Sequence, residues 1–136
     1  MTQPHESLHP RQWKRPKGYA NGIVAEGRMV FLAGQVGWNA EQRFDSQDFV
    51  AQSRQALANI VALVHEGGGK PEHITRLTWF VTDKKEYLSR LRELGEAYQS
   101  VMGKHFPAMT LVEVAALVED QAKVEIEATA VVPKLA

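Results

Sequence analysis

Apolar side chains recur at helical spacing in two stretches of the chain. In the first stretch, one face carries Phe49, Ser53, Leu57, Ile60 and Val64. In the second, one face carries Tyr87, Leu91, Leu94, Tyr98 and Val101. This spacing is typical of amphipathic helices. The first helix is expected to begin at Asp45 or Ser46 and to end at Gly67–Gly69. The second is expected to run from a cap at Asp83 to about Met102.

Shorter stretches alternate in polarity or carry β-branched and aromatic residues, as strands do. They are Gly22–Ala25, Arg28–Ala33, "HITRLTWFVTD" (His73–Asp83), "TLVEVAAL" (Thr110–Leu117) and "KVEIEATAVV" (Lys123–Val132). A turn at Glu26–Gly27 joins the first two, and a loop is expected from Gly34 to Phe44. The predicted order is β-β-α-β-α-β-β, an α+β sandwich with both helices packed on one face of the sheet. Residues 1–17 lack periodicity, so they predict an irregular arm before a single domain over residues 18–136.

The strand over His73–Asp83 predicts an oligomer. Its large apolar residues fall on both faces, with Leu77, Trp79 and Val81 on one and Ile74 and Phe80 on the other. Two helices can cover only one face of a sheet, so a second copy of the chain is expected to cover the other. The last strand alternates cleanly, which places Glu125 on the face away from the helices.

Composition argues against several classes of protein. Sixteen Lys and Arg balance sixteen Asp and Glu, so there is no basic excess for nucleic-acid phosphates. The chain has no cysteine, and its five histidines show no metal-ligand spacing. No apolar run approaches the ~18 residues of a membrane span, and the first residues lack a signal-peptide core. We therefore expect a soluble cytoplasmic protein that binds neither nucleic acid, membrane nor metal.

Several stretches, taken in order, resemble the Rid family, also called YjgF or endoribonuclease L-PSP. They are "VFLAGQVG", "QSRQALANIVALVHEGGG", "HITRLTWFVTD", "FPAMTLVEVAAL" and "KVEIEATAVV". The resemblance runs from about Tyr19 to Val132. It implies a chorismate-mutase-like homotrimer with clefts between subunits. It also implies hydrolysis of reactive enamines or imines to ketones and ammonia, without a metal or organic cofactor.

The chain departs from the family at a substrate-binding position. Deaminating members have P-A-R-S before the strand that follows the second helix, and that arginine holds the substrate carboxylate. Here the segment is Pro107–Thr110, and Met109 stands at the arginine's position. A guanidinium offers two parallel hydrogen bonds to a carboxylate, whereas a thioether offers apolar bulk and a weak acceptor. Leu91 and Val118 are further departures, at positions where the family has an asparagine and a proline.

Other positions match the family's site. Tyr19 falls at its cleft tyrosine, and Glu125 at a glutamate that positions water. The candidate catalytic residues are therefore Glu125, as general base or water anchor, and Tyr19. The alternatives are an interface salt bridge for Glu125 and a ring that merely closes the cleft for Tyr19.

The candidate substrate-binding residues are Met109, Thr110, Gly34, Trp38 and Phe44. Trp38 and Phe44 lie in the predicted loop, where they could cap a pocket over a flat ligand or be buried for stability. Met109 either lines a pocket or fills the core. Three cations of the arm could replace the missing arginine or form a solvated tail: Lys14, Arg15 and Lys17.

Three functions remain open at this point. The first is a Rid-like enamine or imine deaminase that does not use the arginine clamp and acts in aromatic or nitrogen catabolism. The second is a non-catalytic trimer that binds a small molecule or has a regulatory role. The third is the ribonuclease or translation-inhibitor role of part of the family, which the zero net charge disfavours.

Overall fold

The computed structural model of the chain describes residues 4–134. Residues 1–3 of the predicted arm and 135–136 of the predicted domain therefore lie outside the described residues. The strands are β1 (Glu6–Leu8), β2 (Gly22–Val24), β3 (Arg28–Val36), β4 (Ile74–Val81), β5 (Ala108–Glu113) and β6 (Val124–Val132). The helices are α1 (Phe49–Glu66), α2 (Lys84–Ser89) and α3 (Leu91–Met102).

A mixed sheet with the strand order β3-β6-β4-β5 forms one layer, and α1 and α3 form the other. Strand β6 runs antiparallel to β3 and β4, whereas β4 and β5 are parallel. The core between the layers includes Leu57, Ile60, Leu77 and Ile126, all fully buried. Burying each such side chain contributes about 1.5–3 kcal/mol. The predicted α+β fold, with its two main helices on one face of the sheet, is confirmed.

Helix α1 begins later than predicted. Its cap is Asp48, whose carboxylate accepts a hydrogen bond from the backbone N–H of Ala51 at 3.0 Å. The hydroxyl of Ser46 instead accepts from the N–H of Asp48 itself, so it stabilises the turn before the helix. Closely spaced capping residues leave the start ambiguous in the sequence. The predicted end is confirmed, and Gly68 supplies the left-handed exit at φ +86°.

The second predicted helix is two helices. Asp83 caps α2 as expected and accepts from the N–H groups of Lys85 and Glu86. The helix then breaks at Arg90, whose φ is −121°. The hydroxyl of Ser89 donates to a backbone carbonyl three residues back, a local bond that competes with helix continuation. The Arg90 guanidinium pairs with Asp48 of the α1 cap at 3.0 Å and so fixes the break in place.

The predicted irregular arm contains a strand. Strand β1 pairs antiparallel with β2, and a buried His5 donates from Nε2 to the carbonyl of Val131 at 2.8 Å. A three-residue strand is too short to show alternation in the sequence. Strand β2 pairs with β1, and within residues 4–134 it forms no ladder with β3.

Two irregularities change which residues face outwards. Strand β3 continues through Gly34–Val36, where a loop was expected, because a bulge between Leu32 and Gln35 keeps it paired with β6. A second irregularity, between Ile74 and Arg76 in β4, turns Ile74 into the helix-side core. The prediction that Ile74 shares the outer face with Phe80 is therefore wrong. Strand β5 also ends earlier than predicted, at Glu113 instead of Leu117.

Candidate functional site

A pocket of about 520 Å³ opens between the β4–β5 edge of the sheet and helices α2 and α3. Its lining is mostly aromatic and aliphatic: Tyr19, Trp79, Tyr87, Leu91, Leu94, Tyr98, Phe106, Met109 and Leu111, with Lys17, Gly18, Gly95 and Gln99. The size lies within the range of about 300–1,000 Å³ that is usual for small-molecule sites. We call this space the helix-side pocket.

Met109 forms part of the wall of the helix-side pocket. In the parallel register of β4 and β5, Met109 lies opposite Leu77, which is fully buried in the core. Side chains opposite one another in adjacent strands share a face, so Met109 points towards the helices. It is half-buried and packs against the core cluster. Met109 therefore both lines the pocket and packs against the core.

An aromatic stack stiffens the end of the pocket. The rings of Tyr98 and Phe106 are parallel within 10°, with centroids 5.3 Å apart. The Tyr98 hydroxyl donates to the carbonyl of His105 at 2.6 Å. Burial raises the pKa of the Tyr98 phenol well above its ordinary value, so this group stays protonated. Tyr98 therefore shapes the pocket and supplies no base.

A short backbone bridge carries Lys17 and Tyr19 to the pocket mouth. The N–H of Ala20 donates to the carbonyl of Pro107 at 3.0 Å, and Ala20 forms a parallel bridge with Ala108 at the start of β5. Gly18 has φ +78°, a conformation that glycine adopts without strain. Tyr19 keeps 42% of its surface exposed, as expected for a residue at an opening.

Charge is nearly absent from the helix-side pocket. Among residues 4–134 its lining contains no aspartate, glutamate or histidine, and Lys17 is the one formally charged side chain in it. At the inner end, Trp79 is only 4% exposed, and its indole N–H has no hydrogen-bond partner among residues 4–134. The pocket can hold an apolar group, but by itself it contains no carboxylate base.

Glu125 lies on the opposite face of the sheet. It is half-buried and is paired in register with Phe80 on β4 and Val36 on β3. Its carboxylate rests against the backbone of Gly34, where an added Cβ would overlap Oε2. Thr110 also lies on this outer face, exposed and opposite Thr78. Glycine at position 34 therefore leaves the room that the carboxylate of Glu125 occupies.

The remaining candidates form a third group, away from the pocket lining. The rings of Trp38 and Phe44 contact each other with centroids 5.9 Å apart. The carbonyl of Trp38 accepts from the side-chain amide of Asn59 on α1 at 2.9 Å, which anchors the loop. Within one chain the predicted site residues are thus divided between the helix-side pocket, the outer face and this loop.

Sequence patterns missed most of the pocket wall. The helical spacing of these residues predicts a stripe that faces the core: Tyr87, Leu91, Leu94 and Tyr98. Yet Leu91 is 51% exposed, since the break at Arg90 and the glycine at position 95 leave a groove instead of a closed contact. A glycine within an apolar helical stripe is the one signal that could have indicated the groove.

Two kinds of feature are absent from the described part of the chain. Residues 4–134 contain no group of three or more His, Asp or Glu side chains placed to hold a metal ion. Over the same residues, no helix combines the length and the apolar character needed to cross a bilayer.

Known proteins resemble this chain along most of its length. The family described as endoribonuclease L-PSP matches residues 12–132. The 2-iminobutanoate/2-iminopropanoate deaminase of Escherichia coli (strain K12) is 36% identical over 116 residues, which are 83% of this chain and 86% of that protein.

Solved structures agree with the sequence matches. YyfB from Yersinia pestis, a protein of unknown function of the Rid family, superposes with a TM-score of 0.84 at 28% identity, covering 95% of this chain and 99% of its own. The YjgF gene product of E. coli gives a TM-score of 0.66 at 34% identity, covering 93% and 98%. The predicted resemblance is confirmed, and the chain belongs to the endoribonuclease L-PSP family, also called Rid or YjgF.

Proposed function

We propose that this protein is a RidA-like hydrolytic deaminase of an enamine or imine that works without the family's arginine–carboxylate clamp and without a cofactor. The 36% identity to an imine deaminase supports hydrolysis at a C–N bond. The apolar wall around Met109 supports a substrate larger and less polar than a three-carbon imino acid. Such substrates arise in aromatic and nitrogen catabolism, where we place the activity.

The division of the candidate residues between two faces carries the proposal. The helix-side pocket holds Tyr19 and Met109 but no acidic side chain, whereas Glu125 lies on the outer face of the same sheet. A site that needs both a binding wall and a carboxylate therefore requires a second copy of the chain. We propose a homotrimer in which the Glu125 of one subunit faces the pocket mouth of its neighbour.

Exposed apolar side chains on the outer face support this assembly. Phe31 and Met29 of β3 are 72% and 61% exposed, and in register they lie opposite Thr129 and Val131 of β6. Thr129 is four residues from Glu125 along β6 and on the same face, about 13 Å away at strand spacing. An apolar patch beside the carboxylate is suited to burial against another copy.

In this proposal Glu125 acts on water. Its carboxylate accepts a proton from a water molecule as the water oxygen bonds to the iminium carbon, and a carbinolamine forms. That proton then passes from Glu125 to the carbinolamine nitrogen, the C–N bond breaks, and ammonia leaves as the hydroxyl gives its proton back to the Glu125 carboxylate and the carbonyl forms. Tyr19 at the pocket mouth orients the substrate or the attacking water.

The experiment follows ammonia release from imines generated in situ from aliphatic and aromatic amino acids. Glu125→Gln keeps the shape of the side chain and removes the base, so we expect kcat to fall by about 100-fold or more with the fold intact. Glu127→Gln, on the same face and exposed, is the matched control and should retain turnover. If wild type releases no ammonia from any imine of the panel, the protein is instead a small-molecule-binding trimer.

A further inference from the structure

We propose that Lys17 is the anion-binding residue of the helix-side pocket. The pocket then takes a carboxylate ligand with a bulky flat side chain, whose ring lies in the pocket and whose carboxylate meets the Lys17 ammonium at the mouth. If the proposed deaminase function holds, the substrate class is the 2-imino acids with aromatic side chains. Lys17 is then the residue that sets this specificity.

The position of Lys17 is the first support. Of the four cationic side chains in the arm, all of them exposed, Lys17 belongs to the pocket lining, whereas Arg11, Lys14 and Arg15 do not. The bridge from Ala20 to Pro107 and Ala108 holds this segment at the start of β5, next to Met109. Lys17 therefore lies at the same pocket wall as Met109, the residue that stands at the position of the family's arginine.

The second support is that the Lys17 ammonium has no salt-bridge partner among residues 4–134. By contrast, Arg90, Arg92 and Lys123 each have a carboxylate partner. The described residues that line the pocket include no acidic side chain to neutralise the Lys17 ammonium. An ammonium beside an apolar opening with no counter-ion from its own chain is suited to an incoming anion.

The lining fixes the orientation of the ligand. Past the mouth the walls are rings and aliphatic side chains, so a carboxylate placed there would lose its hydration without gaining a cation. The parallel rings of Tyr98 and Phe106 offer a flat surface at the inner end. Gly95 adds room, because a Cβ at that position would meet nothing within 4 Å. The apolar group therefore enters first, and the carboxylate remains at Lys17.

A lysine differs from an arginine in what it can select. Its ammonium is a point charge on a flexible stem and does not form the paired hydrogen bonds of a guanidinium. Affinity must then come mainly from the ring in the pocket, with the charge adding orientation. Small imino acids, which have no ring, would bind weakly.

Calorimetric binding tests the assignment without relying on turnover. The probes are phenylpyruvate, the keto acid that deamination of an aromatic imino acid would release, and phenylpyruvamide, in which an uncharged amide replaces the carboxylate. For Lys17→Met we expect phenylpyruvate to bind about tenfold more weakly and phenylpyruvamide to bind as it does to wild type. Lys17→Arg should restore most of the affinity. Lys104→Met, exposed and outside the lining, is the control and should match wild type.

Kinetics give the second readout. If imines are hydrolysed, Lys17→Met should raise KM for the aromatic imino acid about tenfold and leave kcat nearly unchanged, as expected for a group that binds but does not react. Equal phenylpyruvate affinity in wild type and Lys17→Met would overturn the proposal. An equal loss in Lys14→Met would overturn it too, because the overall charge of the arm would then be responsible. Lys17-dependent binding with no imine hydrolysis would support Lys17 and refute the deaminase function instead.

Discussion

The two faces of the main sheet differ in what covers them and in what chemistry they carry. The helix side is closed over Leu77 and Ile126 and opens at the β5 edge, where the helix-side pocket lies. The outer side leaves Phe31 72% exposed and carries the carboxylate of Glu125. In the proposed function the first face binds the apolar part of the substrate, and the second supplies the carboxylate that acts on water.

This difference follows from strand geometry. Successive side chains of a strand point to opposite faces, so Met109 on the inner side and Thr110 on the outer side cannot serve the same single-chain pocket. The same alternation separates Glu125 from its buried neighbours Val124 and Ile126. Two faces of one sheet can form one site only when the outer face of one copy meets the pocket edge of another. Substitutions that disrupt contacts made by the outer face should therefore abolish function without disturbing the core.

The largest effect is expected for Phe31→Glu. A glutamate in the exposed patch would have to be buried without a partner wherever two copies meet, which costs several kcal/mol. If the proposed trimer forms, we expect it to dissociate and turnover to fall by about 100-fold or more, while the monomer keeps its secondary structure. Analytical ultracentrifugation, circular dichroism and ammonia release measure these three quantities.

Leu63→Glu is the matched control for Phe31→Glu, since it places the same charge at a partly exposed leucine on α1, away from the outer face. It should leave both assembly and turnover unchanged. An active Phe31→Glu monomer would show that one chain contains the whole site, and it would contradict the proposal that the site needs two copies of the chain.

Gly34→Ala should have the next largest effect. The added methyl would overlap the Glu125 carboxylate, which ends a flexible side chain and can move aside. Stability should therefore change little, whereas turnover should fall about tenfold or more because the base is displaced. Thermal unfolding and kcat measure the two effects.

A double-mutant cycle sharpens the Gly34 prediction. If Gly34 acts only by making room for the carboxylate, Gly34→Ala should add almost no further loss in a Glu125→Gln background. Independent, additive losses would mean that the glycine contributes to binding in another way.

The fold was largely predictable because long periodic segments determine it. The stripe from Phe49 to Val64 and the alternation around Glu125 each fix an element and its buried face. Several local features were missed, among them the irregularity at Ile74, the break at Arg90 and the cap at Asp48. The first two involve contacts between parts of the chain that are distant in sequence, namely the pairing of β4 with β6 and the Arg90–Asp48 pair, and periodicity does not record such contacts. The cap was missed because several capping residues lie close together before α1.

The site was less predictable than the fold. Residues at family positions, such as Tyr19 and Met109, could be named from the resemblance, and the structure does bring these two together. The alternation of the last strand predicts that Glu125 lies on the outer face, but the face of Met109 depends on the pairing of β5 with β4, which sequence spacing alone does not give. Lys17 belonged to a run of three cations, and only the bridge from Ala20 to β5 distinguishes it from the others.

The smallest expected effect is a pH dependence of stability, and it involves His105 on the helix side of the sheet. His105 donates from Nε2 to the carbonyl of Ile74 at 2.7 Å and adjoins Phe106 in the pocket wall. Burial lowers the pKa of His105 below its ordinary value of 6.5, with His5 adding to the shift and the Ile74 bond and Glu72 opposing it. Burial likewise lowers the pKa of His73. The folded state therefore favours the neutral rings.

The sign of the pH dependence follows from these lowered pKa values. Stability from a neutral buried histidine is complete above the unfolded pKa and is lost as the pH falls below it, because the unfolded chain then binds the extra proton. We expect urea midpoints to fall between about pH 7 and pH 5.5, a window in which ordinary carboxylates remain ionised. His105→Gln keeps a donor for Ile74 but does not titrate, so its midpoint should change less over this window. His65→Gln, exposed on α1, should behave as wild type does. If His105→Gln and wild type lose stability equally, the acid-sensitive group lies elsewhere, and the helix side has no special dependence on pH.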